Sequence, residues 1–417
     1  MSLSRRTFLA AAPVAAVAGC GGGPPPLRVA VVWSGDELRH FREVVKGFED
    51  RFQRTVRVYS AGENVSALLR GPVEEVLPDV AVIPRLALLR DLDVRGRAAP
   101  LSVDAGPSAF WRELVSRPDG RVLASWFKIA HKSLVWHRAP RPGEAPYRPP
   151  ENLEAWADAP GRLSIGAAEG WVLSSWFENV LLACHPTAYD TLFDSGGGAP
   201  GEWDTQPVKD ALQRVARIWQ NGLDSDAGRR ALTKQFHDAV IDVFVRETAD
   251  VVAAPDFAWP IIAAHGKRSA ARHFRFPASA GKRAPLVVGG DMAVAIRSGA
   301  AVFVEWLTGL RARDGNDPLE RWVRDGGFLT PLIPPDRSPE PLRGPAQELA
   351  DEAGGRYGLS DRLIGGLEAG DGRGLFRILT ELFIDAVINR HQPDQAADTA
   401  RAKLAESVAR DHRKSTS

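Results

Sequence analysis

The sequence is poor in cysteine and has no excess of charge of either sign. Two of its 417 residues are cysteine, and 53 lysine and arginine residues stand against 52 aspartate and glutamate residues. This balance gives no reason to expect a nucleic-acid partner or an acidic tail. A chain of this length with 44% hydrophobic residues can bury the cores of two lobes. We expect a monomer whose partner is neutral.

Motifs of the common hydrolases and nucleotide-binding proteins are also missing. The chain has no HExxH zinc motif, no GxSxG nucleophile elbow and no Walker phosphate loop, and its nine histidines show no ligand spacing. We therefore predict a protein that is not an enzyme and that needs no metal or cofactor. An exported glycosidase is the alternative, because two carboxylates can catalyse glycoside hydrolysis without any such motif.

The N-terminus has the pattern of a twin-arginine lipoprotein signal. Arg5-Arg6 precedes an apolar run of about a dozen residues, whereas a membrane span needs about twenty. Val17-Ala18-Gly19-Cys20 resembles a lipobox, in which the cysteine thiol accepts a lipid. We predict a signal peptide over residues 1–19, lipidation at Cys20 and a Gly/Pro tether over residues 20–26. The mature protein would be exported and anchored to the outer face of the cell membrane.

Beyond the tether, the first hundred residues predict an α/β lobe with a largely parallel sheet. The apolar patterns indicate a strand, a helix and two further strands over residues 27–33, 34–52, 55–59 and 78–83. Ser34 and Glu37 match a capping box at the start of the helix. Ligands of such sheets bind beyond the carboxyl ends of the strands. We therefore expect a site near Trp33–Glu37 and just after Ile83.

A second lobe follows the proline-dense stretch 140–150. Leu286–Ile296 has two short strand-like runs around Gly289-Gly290 and predicts a return to the first lobe. We assign residues 27–134 and 286–335 to lobe 1, residues 135–285 and the C-terminal helices 336–405 to lobe 2, and residues 406–417 to a disordered tail. The crossings near Lys132–Trp136 and Leu286–Gly290 are the predicted hinge.

Two residue types bear on the core and the site. Cys184 has no disulfide partner if Cys20 is acylated, and we interpret it as a small buried hydrophobe. Twelve tryptophans against four tyrosines favour a site that stacks flat apolar faces, although core packing accounts for most of them.

Short segments in a fixed order along the chain carry a family resemblance. They are Val31-Val32-Trp33-Ser34-Gly35, Leu77-Pro78-Asp79-Val80, Asp119-Gly120-Arg121, Lys132-Ser133-Leu134-Val135-Trp136, Gly170-Trp171, Trp176-Phe177-Glu178-Asn179, Tyr189-Asp190, Gly289-Gly290-Asp291, Gly326-Gly327-Phe328 and Leu359-Ser360-Asp361. No single segment is specific, but together they resemble the family 1 extracellular sugar-binding proteins of ABC importers, in the group of maltose- and α-glucoside-binding proteins.

The resemblance implies a fold, a function and partners. The fold would be a two-lobed periplasmic-binding-protein type II fold, an α/β architecture in which each lobe is a mixed sheet flanked by helices. The lobes would close on a neutral solute, most simply a mono- or oligosaccharide, and present it to the ABC permease subunits. A solute sensor that never meets a permease is a further alternative.

Two departures from the family pattern remove expected ligand contacts. Ser174-Ser175 stands where the family has Thr-Asp, so a carboxylate is missing. Val122-Leu123-Ala124-Ser125 replaces a Tyr-Gly-Val-Pro run.

A sugar presents an apolar C–H face and a hydroxyl edge, so its site needs aromatic plates and fixed carboxylates. The predicted ligand-binding residues are Trp33, Asp36, Glu37, Asp79, Trp126, Trp171, Trp176, Glu178, Asp256, Trp259, Gly290 and Asp291. For Trp136 the pattern favours the core. Acidic residues at a helix start also stabilise the helix dipole, which is the alternative interpretation of Asp36, Glu37 and Glu178.

Overall fold

The computed structural model describes residues 25–103, 106, 108–310, 317–351, 355–370 and 372–415. The predicted signal peptide, Cys20 and residues 21–24 of the tether lie outside the described residues. Within these ranges, no helix combines the length and the apolar character needed to cross a membrane.

The first part of the chain alternates strands with helices. Its elements are β1 (Leu27–Val31), α1 (Gly35–Phe52), β2 (Val56–Ser60), α2 (Val65–Arg70), β3 (Val80–Ile83), α3 (Leu86–Val94), α4 (Ala109–Leu114) and β4 (Ser125–His131). β1 pairs in parallel with both β2 and β3. The predicted strands and helix are confirmed, with ends that differ by no more than two residues.

Apolar spacing determines where α1 packs, but its predicted cap is wrong. Phe41, Val44 and Phe48 lie on the buried face of the helix, as a 3.6-residue period requires. Ser34 stands at the N-cap without a side-chain capping bond. Glu37 does not complete a capping box, because its carboxylate pairs with Lys128 instead.

The second part of the chain is mainly helical around a small sheet. Its elements are β5 (Leu134–Arg138), α5 (Leu153–Asp158), α6 (Gly170–Cys184), α7 (Pro186–Asp194), α8 (Gln206–Gly222), α9 (Ser225–Ala231), α10 (Phe236–Phe244), β6 (Val251–Ala253), α11 (Trp259–Ala264) and β7 (Ala271–Arg275). The three strands pair antiparallel in the order β6-β5-β7.

The chain then returns to the first sheet, as predicted. The remaining elements are β8 (Val287–Ala295), α12 (Ala301–Thr308), α13 (Pro318–Gly326), α14 (Arg343–Asp351), β9 (Arg356–Tyr357), α15 (Gly374–Phe383) and α16 (Pro393–Ser415). β8 is one continuous strand that pairs antiparallel with β3 and β4, and β9 adds to it in parallel. The larger sheet therefore has the order β2-β1-β3-β8-β4 and mixes parallel with antiparallel pairs.

Two crossings connect the sheets and lie side by side. The first is Lys132-Ser133, between β4 and β5, and the second runs from Phe276 to Leu286, between β7 and β8. The amide of Lys132 donates to the carbonyl of Val287 at 2.9 Å, and the amide of Phe276 donates to the carbonyl of Ser133 at 2.8 Å. The predicted hinge segments Lys132–Trp136 and Leu286–Gly290 overlap these crossings only in part, because Leu134–Trp136 belongs to β5 and Val287–Gly290 to β8.

The C-terminal region differs from its predicted assignment in two ways. α15 and α16 pack on α6 and α8, but α14 packs on β4, and β9 joins β8. Residues 336–405 therefore do not belong to the second lobe alone. The predicted disordered tail from residue 406 is also wrong as far as residue 415, because α16 continues to Ser415 and its apolar stripe of Leu404 and Val408 stays buried.

Both core predictions are confirmed. Cys184 is buried, and burial raises the pKa of its thiol. Trp136 is fully buried in β5, where its indole N–H donates to the carbonyl of Ala254 at 3.0 Å.

Candidate functional site

Trp33 and Asp291 meet at the carboxyl end of the larger sheet. Trp33 follows β1, and Asp291 lies in β8, on the far side of β3. The indole N–H of Trp33 donates to Asp291 Oδ2 at 2.8 Å. This bond fixes the ring edge and leaves the second carboxylate oxygen of Asp291 for another partner.

Lys128 lies beneath this pair in a position that the sequence reasoning missed. Its ammonium nitrogen lies 4.0 Å from the ring centroid of Trp33, 4.6 Å from that of Trp322 and 4.5 Å from that of Phe328. We call these three rings the aromatic cage. The side chain of Lys128 is 7% exposed. The one sequence signal was a lysine inside the apolar strand run Trp126-Phe127-Lys128-Ile129.

Two carboxylates neutralise the caged ammonium. Glu37 Oε1 lies 2.5 Å from the nitrogen of Lys128, and the side chain of Glu37 is 50% exposed. Burial raises the pKa of Asp291, and the nearby charge of Lys128 opposes that shift. Glu37 and Asp291 therefore present fixed acceptors around a positive centre, and Glu37 faces solvent.

A second ion pair occupies the first crossing. Lys132 Nζ lies 2.5 Å from Asp361 Oδ2, and each side chain is 17% exposed. Burial alone would lower the pKa of Lys132, but the charges of Asp361 and Glu178 outweigh it and raise the pKa. Asp361 also acts on Asp291 through its charge, so the two ion pairs form one electrostatic group.

Glu178 holds the loop that carries Asp361. Its carboxylate accepts from the amides of Leu359 at 3.0 Å and Ser360 at 3.1 Å, and it is fully enclosed. Burial raises its pKa. Glu178 lies in the interior of α6 and not at a helix start, so the capping interpretation is wrong for it. Its role in the structure is to position Asp361.

A small cavity lies next to the first crossing. Its volume is about 10 Å³, which is room for about one water molecule. It is lined by Lys132, Trp171, Val172, Ser175, Trp176, Asn179, Ala253, Ala254, Pro255 and Phe276. The indole N–H of Trp176 and Oδ1 of Asn179 are buried here without a hydrogen-bond partner among the described residues. Buried polar groups ordinarily have a partner, and a hydroxyl or water in the cavity is a candidate for either atom.

Trp171 is the partly exposed ring at this cavity. It lies in the first turn of α6, where its indole N–H donates to Glu169 Oε1 at 3.4 Å. Its ring packs 5.0 Å from Phe236 and 5.7 Å from Phe257. The hydroxyls of Ser174 and Ser175 both donate back to its carbonyl oxygen at 3.0 Å. The serine pair that replaces Thr-Asp therefore binds the helix backbone.

The structure does not bring two predicted acidic residues to these groups. Asp36 is 88% exposed and pairs with Arg39 on the outer face of α1. Asp79 precedes β3 and accepts from the amide of Arg28 at 2.8 Å, so it lies at the amino ends of the strands. Carboxyl and amino ends of parallel strands lie at opposite edges of the sheet, which separates Asp79 from Trp33.

Three predicted tryptophans are packed in the interior. Trp126 donates to the carbonyl of Trp111 at 2.7 Å, and Trp176 packs against Trp156 and Phe276. Trp259 is buried against Gly327, where a Cβ would lie 2.4 Å from its ring. Their rings offer no free face for stacking a solute. Gly290 serves the pairing of β4 with β8, since a Cβ there would meet the backbone of Lys128.

Asp256 ties the second lobe to the first crossing. Its carboxylate is buried and accepts from the amide of His131 at 2.7 Å. Burial raises its pKa to about 7, and the charge of Lys128 counteracts part of that rise.

Replacing Asp256 with asparagine is expected to change how stability depends on pH. In the unfolded chain an aspartate titrates near 3.9, so the folded protein holds this proton more tightly. The stabilisation from that proton is complete below pH about 4 and is lost as the pH rises through 7. Asparagine resembles the protonated form at every pH. From pH 5 to pH 8, Asp256→Asn should gain about 2 to 3 kcal/mol relative to the unsubstituted protein.

Urea unfolding at both pH values measures this gain. Asp36→Asn, at an exposed carboxylate, is the control and should follow the unsubstituted protein. If the free energy of unfolding depends on pH in the same way for Asp256→Asn and the unsubstituted protein, Asp256 does not have the raised pKa assigned to it.

Within the described ranges, no group of three or more histidine, cysteine or acidic residues is placed to hold a metal ion.

Comparisons with known proteins find proteins that are named as binding proteins. No protein-family model matches the chain. The osmoprotective compounds-binding protein GgtB of Synechocystis is 26% identical over 187 residues, which are 40% of this chain and 44% of that protein. The alpha-glucosides-binding periplasmic protein AglE of Rhizobium meliloti is 24% identical over 375 residues, which are 81% of this chain and 80% of that protein. An ABC transporter solute-binding protein of Thermotoga lettingae, solved with α-D-tagatose, superposes with a TM-score of 0.65 at 14% identity, covering 92% of this chain and all of that one.

These comparisons confirm two predictions. The two-lobed α/β fold is confirmed by the structural match, with a mixed larger sheet and an antiparallel smaller sheet. The resemblance to the solute-binding proteins of ABC importers is confirmed by relatives that are named as binding proteins and not as enzymes. The chain spans less than half of GgtB in that match.

Proposed function

We propose that this protein binds a neutral polar solute, most simply a mono- or oligosaccharide, and delivers it to the permease of an ABC importer. The observation that carries the proposal is the group of side chains at the carboxyl end of the larger sheet, which we call the carboxyl-end cluster. In it, Trp33 fixes Asp291 by a hydrogen bond, and the half-exposed Glu37 pairs with Lys128. Fixed carboxylates are strong acceptors for sugar hydroxyls. AglE is named for α-glucosides, and the Thermotoga lettingae protein holds tagatose, which supports a sugar here.

The second lobe would supply the aromatic face. Trp171 is partly exposed and lies beside Glu169. The ring can therefore stack on the C–H face of a sugar while the carboxylate accepts a hydrogen bond from a hydroxyl of the same sugar. The adjacent cavity, with the free N–H of Trp176 and Oδ1 of Asn179, would take one hydroxyl or one water. Closure of the lobes about the two crossings would bring Trp171 and the cavity of the second lobe toward Glu37 and Asp291.

The N-terminal segment would place the protein at the membrane. In this proposal the twin-arginine signal directs export, Cys20 carries the lipid, and the Gly/Pro tether keeps the lobes within reach of a permease. AglE is named as periplasmic, which agrees with export. Metabolic labelling with a radioactive fatty acid should mark the protein, and Cys20→Ser should abolish the label.

A ligand screen tests the solute class. Binding to the native state raises the melting temperature by mass action, so purified protein is screened against mono- and oligosaccharides, polyols and polyamines. We expect a carbohydrate to raise the melting temperature. The sugar proposal is lost if a polyamine does so and no carbohydrate does. Release of reducing ends from an oligosaccharide would favour the glycosidase alternative.

Trp171→Ala is expected to weaken binding of that carbohydrate about fivefold, because a stacked ring contributes about 1 kcal/mol beyond its burial. Trp306→Ala is the matched control. Trp306 is also partly exposed and contacts two rings, Phe48 at 5.4 Å and Phe303 at 5.9 Å, but it lies on α12, away from the site. Isothermal titration of both variants gives the comparison, and equal affinities would place the aromatic platform elsewhere.

A further inference from the structure

The aromatic cage around Lys128 has the composition of a receptor for organic cations. Such receptors place an ammonium group over the faces of aromatic rings and beside carboxylates. Here three rings lie between 4.0 and 4.6 Å from the nitrogen, and Glu37 and Asp291 supply the negative charge. The cation in the cage belongs to the protein itself.

A lysine is an unusual choice for this place. Lysine side chains normally extend their ammonium group into water, whereas this one ends inside the cage with its side chain 7% exposed. Pairing Glu37 with a positive charge near Asp291 does not need rings. Lys132 shows the contrast, since it is paired with Asp361 at 2.5 Å and no cation–π contact is seen for it among the described residues.

We propose that Lys128 is a specificity-determining residue that occupies an organic-cation site from within and thereby excludes cationic solutes. A solute with an ammonium group would meet the positive charge of Lys128 where it needs a carboxylate and a ring. A neutral solute finds Glu37 and Asp291 held in place and still able to accept hydrogen bonds. The inference rests on the proposed function for its meaning, but its test needs no sugar.

Lys128→Ala should convert the cage into an alkylammonium site. The substitution removes Cγ, Cδ, Cε and Nζ, and n-propylammonium supplies these same atoms. We expect Lys128→Ala to melt at a lower temperature than the unsubstituted full-length protein, and n-propylammonium chloride to restore part of the loss. Sodium chloride at equal concentration controls for ionic strength.

Lys132→Ala is the matched control, because it removes a buried paired lysine that has no cage. Its apparent affinity for n-propylammonium should be about fivefold weaker than that of Lys128→Ala, which is the contribution expected of the rings. The double variant Lys128→Ala with Trp322→Leu should lose most of the response. The unsubstituted protein should respond to n-propylammonium and to putrescine no more than to sodium.

The proposal is overturned if n-propylammonium and sodium affect Lys128→Ala equally, or if Lys132→Ala responds as strongly. It is also overturned if the unsubstituted protein binds putrescine. Should Lys128→Ala fail to fold in buffer, its refolding yields with n-propylammonium and with sodium are compared. Selective recovery by n-propylammonium supports the proposal, and equal yields, zero included, contradict it. The n-propylammonium results concern the cage alone, whereas binding of putrescine to the unsubstituted protein would count against both proposals. Comparing the two results therefore distinguishes failure of this inference from failure of the proposed function.

Discussion

Gly290→Ala is expected to lower the free energy of unfolding by at least about 3 kcal/mol, at the upper end of overpacking costs. A Cβ at this position would lie 2.3 Å from the backbone oxygen of Lys128 and 3.1 Å from Cα of Ile129. Both atoms belong to β4, which pairs with β8 at this point. Backbone in a paired central strand cannot move aside as the end of a flexible side chain can, so β4 and β8 must separate locally.

Gly299→Ala is the matched control. Gly299 lies a few residues beyond the end of β8, and no atom lies within 4 Å of the Cβ that alanine would add. The variant should stay within about 0.5 kcal/mol of the unsubstituted protein. Chemical denaturation of both variants measures the difference. Equal midpoints would show that β4 and β8 can separate locally without loss of stability. The close approach of the two strands would then not explain why position 290 is a glycine.

Gly290 also shows where sequence reasoning succeeds and where it stops. A Gly-Gly pair correctly predicts that backbone approaches closely, but sequence cannot say whether the approaching group is a ligand or a strand. Here it is β4. The same limit applies to Trp126 and Trp176, because an aromatic residue suited to stacking a solute is equally suited to packing a core.

Local patterns predicted the elements well because periodicity is a property of neighbouring residues. The strands and helix of the first lobe follow from short apolar runs and from 3.6-residue spacing. The rule that ligands bind at the carboxyl ends of strands favours Trp33 over Asp79, because Asp79 precedes β3 and Trp33 follows β1.

The contacts that build the cluster could not be predicted, because they join distant parts of the chain. Trp33 and Asp291 are 258 residues apart, and Glu37 and Lys128 are 91 apart. No periodicity connects such residues. A charged residue inside an apolar strand is the local signal to watch for, since burial of a charge requires a partner. Applied to the sequence, that rule would have selected Lys128.

Asp361→Ala is expected to cost about 3 to 5 kcal/mol, because it leaves the ammonium of Lys132 buried without its nearest partner. The exposed pair of Asp36 and Arg39 provides the control, since its side chains are 88% and 60% exposed. Asp36→Ala should change stability by less than about 1 kcal/mol, as water and salt screen such pairs. Urea unfolding compares the two variants at one pH.

The double variant Lys132→Met with Asp361→Ala distinguishes two causes of the lost stability. One is the loss of attraction within the ion pair, and the other is the cost of leaving the ammonium of Lys132 without a partner. Methionine keeps most of the lysine stem and removes its charge, so the double variant should regain much of the stability that Asp361→Ala loses. Glu178 would then also lose the lysine charge that lowers its pKa, so the pKa of Glu178 should be higher in the double variant than in Asp361→Ala. Recovery in the double variant assigns the cost to the unpaired ammonium of Lys132. If the double variant is no more stable than Asp361→Ala, the loop from Leu359 to Asp361 depends on the carboxylate of Asp361 itself, and the ion pair at the crossing is not what holds it.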